Sequence, residues 1–244
     1  MRTLSFLLIA VSAFGQQRNF VTCPIVRDTK TVPCFLAEYE GETYYLGIQQ
    51  DITAEFHPPQ LKHEVLVEGS VAEGPRVCGG IPLRPVTISV IKEVNLACNV
   101  LLPAEPGIEA PPAPRGAGPS SRRTEPPAAR APLTGPQEFT LQYEFNDDRA
   151  AFAALQTINE AAAYAKRIKA ANVKVSGFRA TTLLSNGQRM VENTGLAEKR
   201  TQAVTTLLHG LGLTNVTSQS KSEADPADGQ NDASHRRVVI SVTP

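Results

Sequence analysis

The chain has 244 residues, enough for one large domain or two small ones. Lys plus Arg and Asp plus Glu balance at 24 each, which argues against a nucleic-acid or polyanion binder. Apolar residues make up 41%, and no apolar run approaches the roughly 20 residues of a membrane span, so a folded chain with no transmembrane segment is expected.

Met1-Arg2-Thr3 is a short basic start, and an apolar run follows from Leu4 to Phe14. Ala13 and Gly15 place small residues before a polar stretch that opens at Gln16. This is the layout of a secretory signal peptide over residues 1–15. Export accounts for the cysteines. Cys23, Cys34, Cys78 and Cys98 are even in number and confined to the first 100 residues or so, which reads as two disulfides in an oxidising compartment. Three pairings are possible, and sequence does not choose between them. No Cys-x-x-Cys motif or Cys/His cluster supports zinc, so neither metal nor cofactor is expected.

Residues 20–102 read as an all-β module. Phe35–Tyr39 and Thr43–Ile48 flank a Glu-Gly-Glu turn and predict a hairpin. His63–Val71 alternates polar and apolar residues, and Pro85–Ile91 is a further strand. Four or five short strands suggest a small barrel. Their layout resembles the oligonucleotide/oligosaccharide-binding barrel. His57 and His63 bracket a double proline but lack a third ligand, so a turn and a strand start are expected there. Cys78-Gly79-Gly80 suits a disulfide at a tight turn better than a phosphate loop, because no helix follows. Tyr44 and Tyr45 point to opposite faces, so at most one is available to stack on a ligand.

Pro103 to Pro136 holds ten of the chain's 19 prolines, with Ile108 and Leu133 as its only large apolar residues. Such a segment cannot bury enough surface to offset its ordering entropy. It predicts a semi-stiff linker with a reach on the order of 100 Å if polyproline-like.

Residues 137–244 carry a clear alternation of elements. Phe139, Leu141, Tyr143 and Phe145 mark a strand with one buried face. Asn146-Asp147-Asp148 supplies a turn and a helix cap. Ala151, Leu155, Ile158, Ala162, Ala165 and Ile168 recur at helical spacing. Val173–Phe178 is a second strand. Leu196, Ala203, Val204, Leu207, Leu208 and Leu211 mark a second helix, which Gly210 and Gly212 can end. Val216–Ser220 is a third strand, Ser222 to Ser234 a polar loop, and Val238, Ile240 and Val242 a last strand. The order is β-α-β-α-β-β, an α/β sandwich with helices on one sheet.

Three motifs in this half resemble the OmpA-like peptidoglycan-binding family. They are Gly177-Phe178-Arg179-Ala180, Asn193-x-x-Leu196-Ala197-x-x-Arg200, and Arg236-Arg237-Val238-x-Ile240. Glu223 to Pro226 matches a further family region. The resemblance implies that an Asp and an Arg clamp the diaminopimelate of a peptidoglycan stem peptide. The Asp would hold its ammonium, and the Arg would take its carboxylate in a two-pronged bond. Arg200 matches the family arginine, and Asn193 the asparagine that opens the helix. The aspartate position is Ala180, and the loop from 180 to 193 is about five residues longer than the family's. Glu192, or an acid from elsewhere, is a candidate replacement for the lost carboxylate. An arginine at the position of Arg200 can instead pair with an internal acid or lay its stem on the core. Of Arg236 and Arg237, strand alternation turns one in and one out. His209 and His235 read as a helix-face and a loop residue.

No nucleophile stands beside a base at a recognisable spacing, so no enzymatic activity is expected. These readings combine into an exported protein of the periplasm, associated with the outer membrane or cell wall. Its OmpA-like domain would bind peptidoglycan non-covalently, and the N-terminal module would dock on another envelope protein. The alternative is a non-catalytic protein–protein adaptor whose OmpA-like domain has lost its ligand. A third idea gives the first module a glycan site built on Tyr44 or Tyr45.

Overall fold

The structure, a computed structural model, describes residues 15–49, 58–112, 135–150 and 152–244. The expected signal peptide, His57 and the centre of the proline-rich linker lie outside these residues.

The N-terminal half contains β1 (Gln17–Thr22), β2 (Pro24–Arg27), β3 (Cys34–Tyr39), β4 (Glu42–Ile48), β5 (His63–Val71), β6 (Ile81–Val94) and β7 (Val100–Leu102). They form one sheet in the order β1-β5-β6-β4-β3-β2-β7. Only Cys23 separates β1 from β2 along the chain, yet the two strands stand near opposite ends of that order. One residue spans about 3.8 Å, so the sheet must curl until its ends approach. Its interior is filled by Phe20, Tyr44, Leu46, Val65, Val67 and Leu83. The Phe20 ring stacks on Tyr39 with centroids 4.6 Å apart. Among the described residues no ladder joins β1 to β2 or β7, so the expected small barrel takes the form of a curled sheet whose ends are not hydrogen-bonded to each other. Three short strands, β1, β2 and β7, escaped the sequence reading, the first two because Cys23-Pro24 interrupts their alternation.

Both disulfides form. Cys23 pairs with Cys98, and Cys34 with Cys78. The first pins the β1–β2 corner to the loop before β7. The second lies in a small apolar cluster with Ile25, Leu36 and Ile48. Ile108 and Ala110 pack against that cluster, and Arg27 pairs with Glu105 at 3.4 Å. Residues 103–112 therefore lie on the module, although their composition assigned them to the linker. A single isoleucine with a place to bury is enough to seat them.

The C-terminal half contains β8 (Gln137–Gln142), α1 (Phe152–Ile168), β9 (Asn172–Gly177), β10 (Thr181–Leu183), β11 (Arg189–Val191), α2 (Leu196–Gly210), β12 (Val216–Ser220) and β13 (Arg237–Thr243). The main sheet runs β12-β9-β13-β8, with β12 parallel to β9 and the other pairs antiparallel. Ile158, Ala162, Ala165, Val204 and Leu208 cover Val173, Val175, Val238, Ile240 and Val242. The expected β-α-β-α-β-β order is present. The long loop after β9 is itself structured, as the two-stranded hairpin β10–β11. Gly177 ends β9 beneath α2, where any Cβ would meet the Thr201 side chain and the Ala197 carbonyl. Among the described residues no helix is long and apolar enough to cross a membrane.

The two halves are docked on each other. Leu66 of β5 packs with Phe145 and Leu184, framed by Val21, Ile91 and Met190. Asn19 binds the hairpin twice through its backbone, since its N–H donates to Ser185 Oγ at 2.9 Å and its carbonyl accepts from Ser185 N at 2.7 Å. Its amide nitrogen donates to Leu183 O and Gly229 O, both at 3.0 Å. Glu68 forms a buried ion pair with Arg236, and both bind the Thr182 hydroxyl. Apolar periodicity assigns residues to a buried face without saying which neighbour buries it, so this interface had no signal in the sequence.

A candidate carboxylate site filled from within

Helix α2 buries a stripe of Leu196, Ala197, Arg200, Thr201, Val204 and Leu208. Arg200 stands in the middle of that stripe, four residues from Leu196 and from Val204. Helical spacing therefore carries its guanidinium inward, and it is 0% exposed. The head group lies over the Tyr143 ring, 4.7 Å from the centroid. Burial pushes the Tyr143 phenol up to about 12, against the opposing pull of the Arg200 charge.

All five N–H donors of Arg200 are used. Nε donates to Asp147 O at 2.8 Å. Nη1 donates to Phe178 O at 3.2 Å and to Glu192 Oε2 at 3.1 Å. Nη2 donates to Glu144 O at 3.0 Å and to Glu192 Oε1 at 2.7 Å. The Glu192 carboxylate lies in the fork of the guanidinium, and both side chains are 0% exposed.

Glu192 is equally saturated. Oε1 also accepts from Asn146 N at 3.0 Å, and Oε2 from Ala180 N at 2.8 Å. One guanidinium fork and two backbone amides thus form a cradle for a single planar anion. The backbone is tied down as well. Glu192 N donates to Ala180 O at 3.1 Å, and Arg179 Nη1 donates to Glu192 O at 2.7 Å. Glu192 follows directly on the hairpin, so the extra length of this loop delivers the carboxylate.

The other motif residues take different places. Ala180 is 1% exposed and contributes backbone only. Asn193 is exposed. Its N–H donates to Asn146 Oδ1 at 2.8 Å, and its side chain lines an open cleft of about 230 Å³ with Thr194 and Lys199. Arg236 turns in to Glu68, whereas Arg237 lies over Phe178 with its guanidinium 4.5 Å from the ring centroid. His209 bonds Leu213 O at 2.9 Å and His63 bonds Ile91 O at 2.8 Å, both ordinary structural roles. Tyr44 is 2% exposed inside the curled sheet, and Tyr45 is half-buried beside the Cys34–Cys78 cluster. Tyr44 therefore offers no open ring face to a glycan. Among the described residues no group of three or more His, Cys, Asp or Glu could hold a metal ion.

Asp147 braces the turn that supplies the cradle. Burial raises its carboxyl, but bonds from the Arg149 side chain and backbone, with the Lys92 charge, outweigh burial and bring it from 3.8 to about 2. Lys92 belongs to β6, so this group also joins the halves, at 3.6 Å. A depressed carboxyl contributes stability that is present above its ordinary value and lost as pH falls through its folded value. Acid titration of the unfolding midpoint should therefore show a decline between about pH 4 and pH 2. Asp147→Asn should flatten that decline and leave the profile above pH 5 parallel to wild type.

No protein-family model and no curated protein matches the chain. Solved structures match part of it. One is the OmpA-like domain of FopA1 from Francisella tularensis subsp. tularensis SCHU S4, with 23% identity, covering 44% of this chain and 71% of that one at a TM-score of 0.37. Part of this chain is similar to an OmpA-like domain. A second match is the periplasmic domain of Helicobacter pylori MotB, with 18% identity, covering 46% of this chain and 78% of that one at a TM-score of 0.35. A third is an outer membrane protein from Borrelia burgdorferi B31, with 18% identity, covering 46% and 92% at a TM-score of 0.29.

Proposed function

We propose that the chain is a non-catalytic cell-envelope protein of OmpA-like build whose stem-peptide site is filled by its own Glu192. The observation that carries this reading is the saturated pair, in which five arginine donors and both carboxylate oxygens have internal partners. Arg200 is the residue that the family resemblance assigns to a ligand carboxylate. Here Glu192 supplies that carboxylate, and Ala180 offers no partner for a ligand ammonium. An outside carboxylate would have to displace a tethered one, which holds the advantage of effective concentration. The OmpA-like half then serves as a scaffold for protein contact, the adaptor role. An exported, periplasmic setting, next to the outer membrane or wall, accords with the two disulfides and the leader-like N-terminus.

A second reading, a peptidoglycan tether, is favoured by the open cleft beside the cradle, where Asn193, Thr194 and Lys199 stand. The two separate in one experiment, co-sedimentation of the chain from Gln16 with purified sacculi. Wild type is expected to stay in solution. Glu192→Ala combined with Ala180→Asp should pellet at least 10-fold more, and adding Arg200→Ala should abolish the gain. Pelleting by folded wild type would establish the tether instead.

A further inference from the structure

The carboxylate cradle is assembled from four pieces: the 144–147 turn, the end of β9 at Phe178 and Ala180, Glu192 after the hairpin, and Arg200 on α2. The N-terminal module grips two of them. Ser89 Oγ of β6 accepts the Phe145 N–H at 2.8 Å, and Lys92 reaches Asp147 at 3.6 Å. The Phe145 side chain lies against Leu66. These contacts fix the turn that presents the Asn146 N–H to Glu192.

The hairpin is held from the same side, while its base is tied to the C-terminal half, where Thr181 N donates to Asp225 O at 2.9 Å and Asp225 N to Arg179 O at 2.8 Å. Its two strands, three residues each, pair with one another outside the main sheet. A lone two-stranded hairpin is marginal without packing. Its packing comes from Leu184 and Met190 against Leu66 and Ile91, and from Thr182 on Glu68. Asn19 fixes it through Ser185 and Leu183. Asp232, within the C-terminal half, caps Leu183 N at 2.8 Å.

We propose that docking of the N-terminal module holds the Glu192 plug in its cradle, so that the carboxylate site is closed while the halves are docked and opens when they part. This inference rests on the reading that Glu192 fills the site. The module is then an internal clamp on the site, and a partner that draws it away from the hairpin uncovers a carboxylate receptor. The proline-rich segment between the halves keeps the parted module tethered for reclosure.

Residue-resolved amide exchange tests it on the full chain from Gln16. In wild type the Asn146 and Ala180 amides should be protected, because both donate to Glu192. Glu192→Ala should release both with the halves still docked. If these two amides exchange alike in wild type and Glu192→Ala, the self-filled site is itself refuted. Asn19→Ala with Ser89→Ala removes three docking hydrogen bonds, two from the Asn19 amide and one to Ser89 Oγ, without leaving a buried charge. In that variant Asn146 and Ala180 should exchange at least 10-fold faster, while Val175 and Ile240 in the main sheet keep their wild-type rates. Glu68→Ala should do the same more strongly. The clamp is overturned if Ser185 speeds up in these variants while Asn146 and Ala180 stay as protected as in wild type.

Discussion

Arg200→Ala is expected to be among the most destabilising single changes in the C-terminal half, lowering its stability by about 3–5 kcal/mol. The change strips two charged hydrogen bonds from Glu192, which is fully buried and has no route to water. It also leaves the carbonyls of Glu144, Asp147 and Phe178 without the donor that now reaches them. Each unsatisfied buried group costs on the order of 1–3 kcal/mol. A ligand-binding arginine at the mouth of a pocket would behave otherwise, since its removal leaves stability within about 0.5 kcal/mol and changes affinity alone. Thermal unfolding of the two proteins separates the cases, with a drop of roughly 6–20 °C expected for a chain of this size. The paired replacement Arg200→Met with Glu192→Leu should recover most of the loss, because apolar residues of similar volume often stand in for a buried ion pair. A single variant that melts with wild type, or a pair that is no better than the single, sinks the internal-pair account.

Much of the scaffold was legible beforehand, and the reasons differ by element. The strands β9 and β13 and both helices carry periodicities that only one structure satisfies, as Val173 and Val175, or Val204 and Leu208, show. The spacing from Leu196 and Val204 put Arg200 at the edge of the apolar stripe of α2, with a ligand and an internal acid both open as partners, and the structure moves it to the middle of that stripe. What it pairs with was open, because Glu192 arrives through a hairpin whose path depends on contacts with residues more than 100 positions away, Glu68 among them. Disulfide pairing was closed to the sequence for a related reason. Cys23 and Cys98 meet because the sheet curls, and the curl is a property of the whole strand order. Arg236 marks the same limit. Alternation could turn one of two arginines inward, but nothing local told that its partner lay in the other half of the chain.

Glu68→Ala is the second large effect expected, and its signature is a change in how the protein unfolds. Arg236 is 0% exposed, and Glu68 is its only ion-pair partner among the described residues. Without Glu68 the guanidinium keeps Tyr143 O at 3.3 Å and Thr182 Oγ1 at 3.0 Å, but its charge is buried with nothing to balance it. The cost is about 3–5 kcal/mol, and it falls on the docked state, since parting the halves returns Arg236 to water. Each half has its own core, and the N-terminal one is braced by two disulfides, so both can persist after undocking. Wild type should therefore unfold in one calorimetric transition, whereas Glu68→Ala should unfold in two, the C-terminal half first. Glu68→Leu with Arg236→Met should restore the single transition, because the buried pocket is then apolar and free of charge. A Glu68→Ala protein that melts in one step, less than about 1 kcal/mol below wild type, would mean that the apolar contact of Leu66 with Phe145 and Leu184 holds the halves by itself. The ion pair would then set only the register of docking, not its strength.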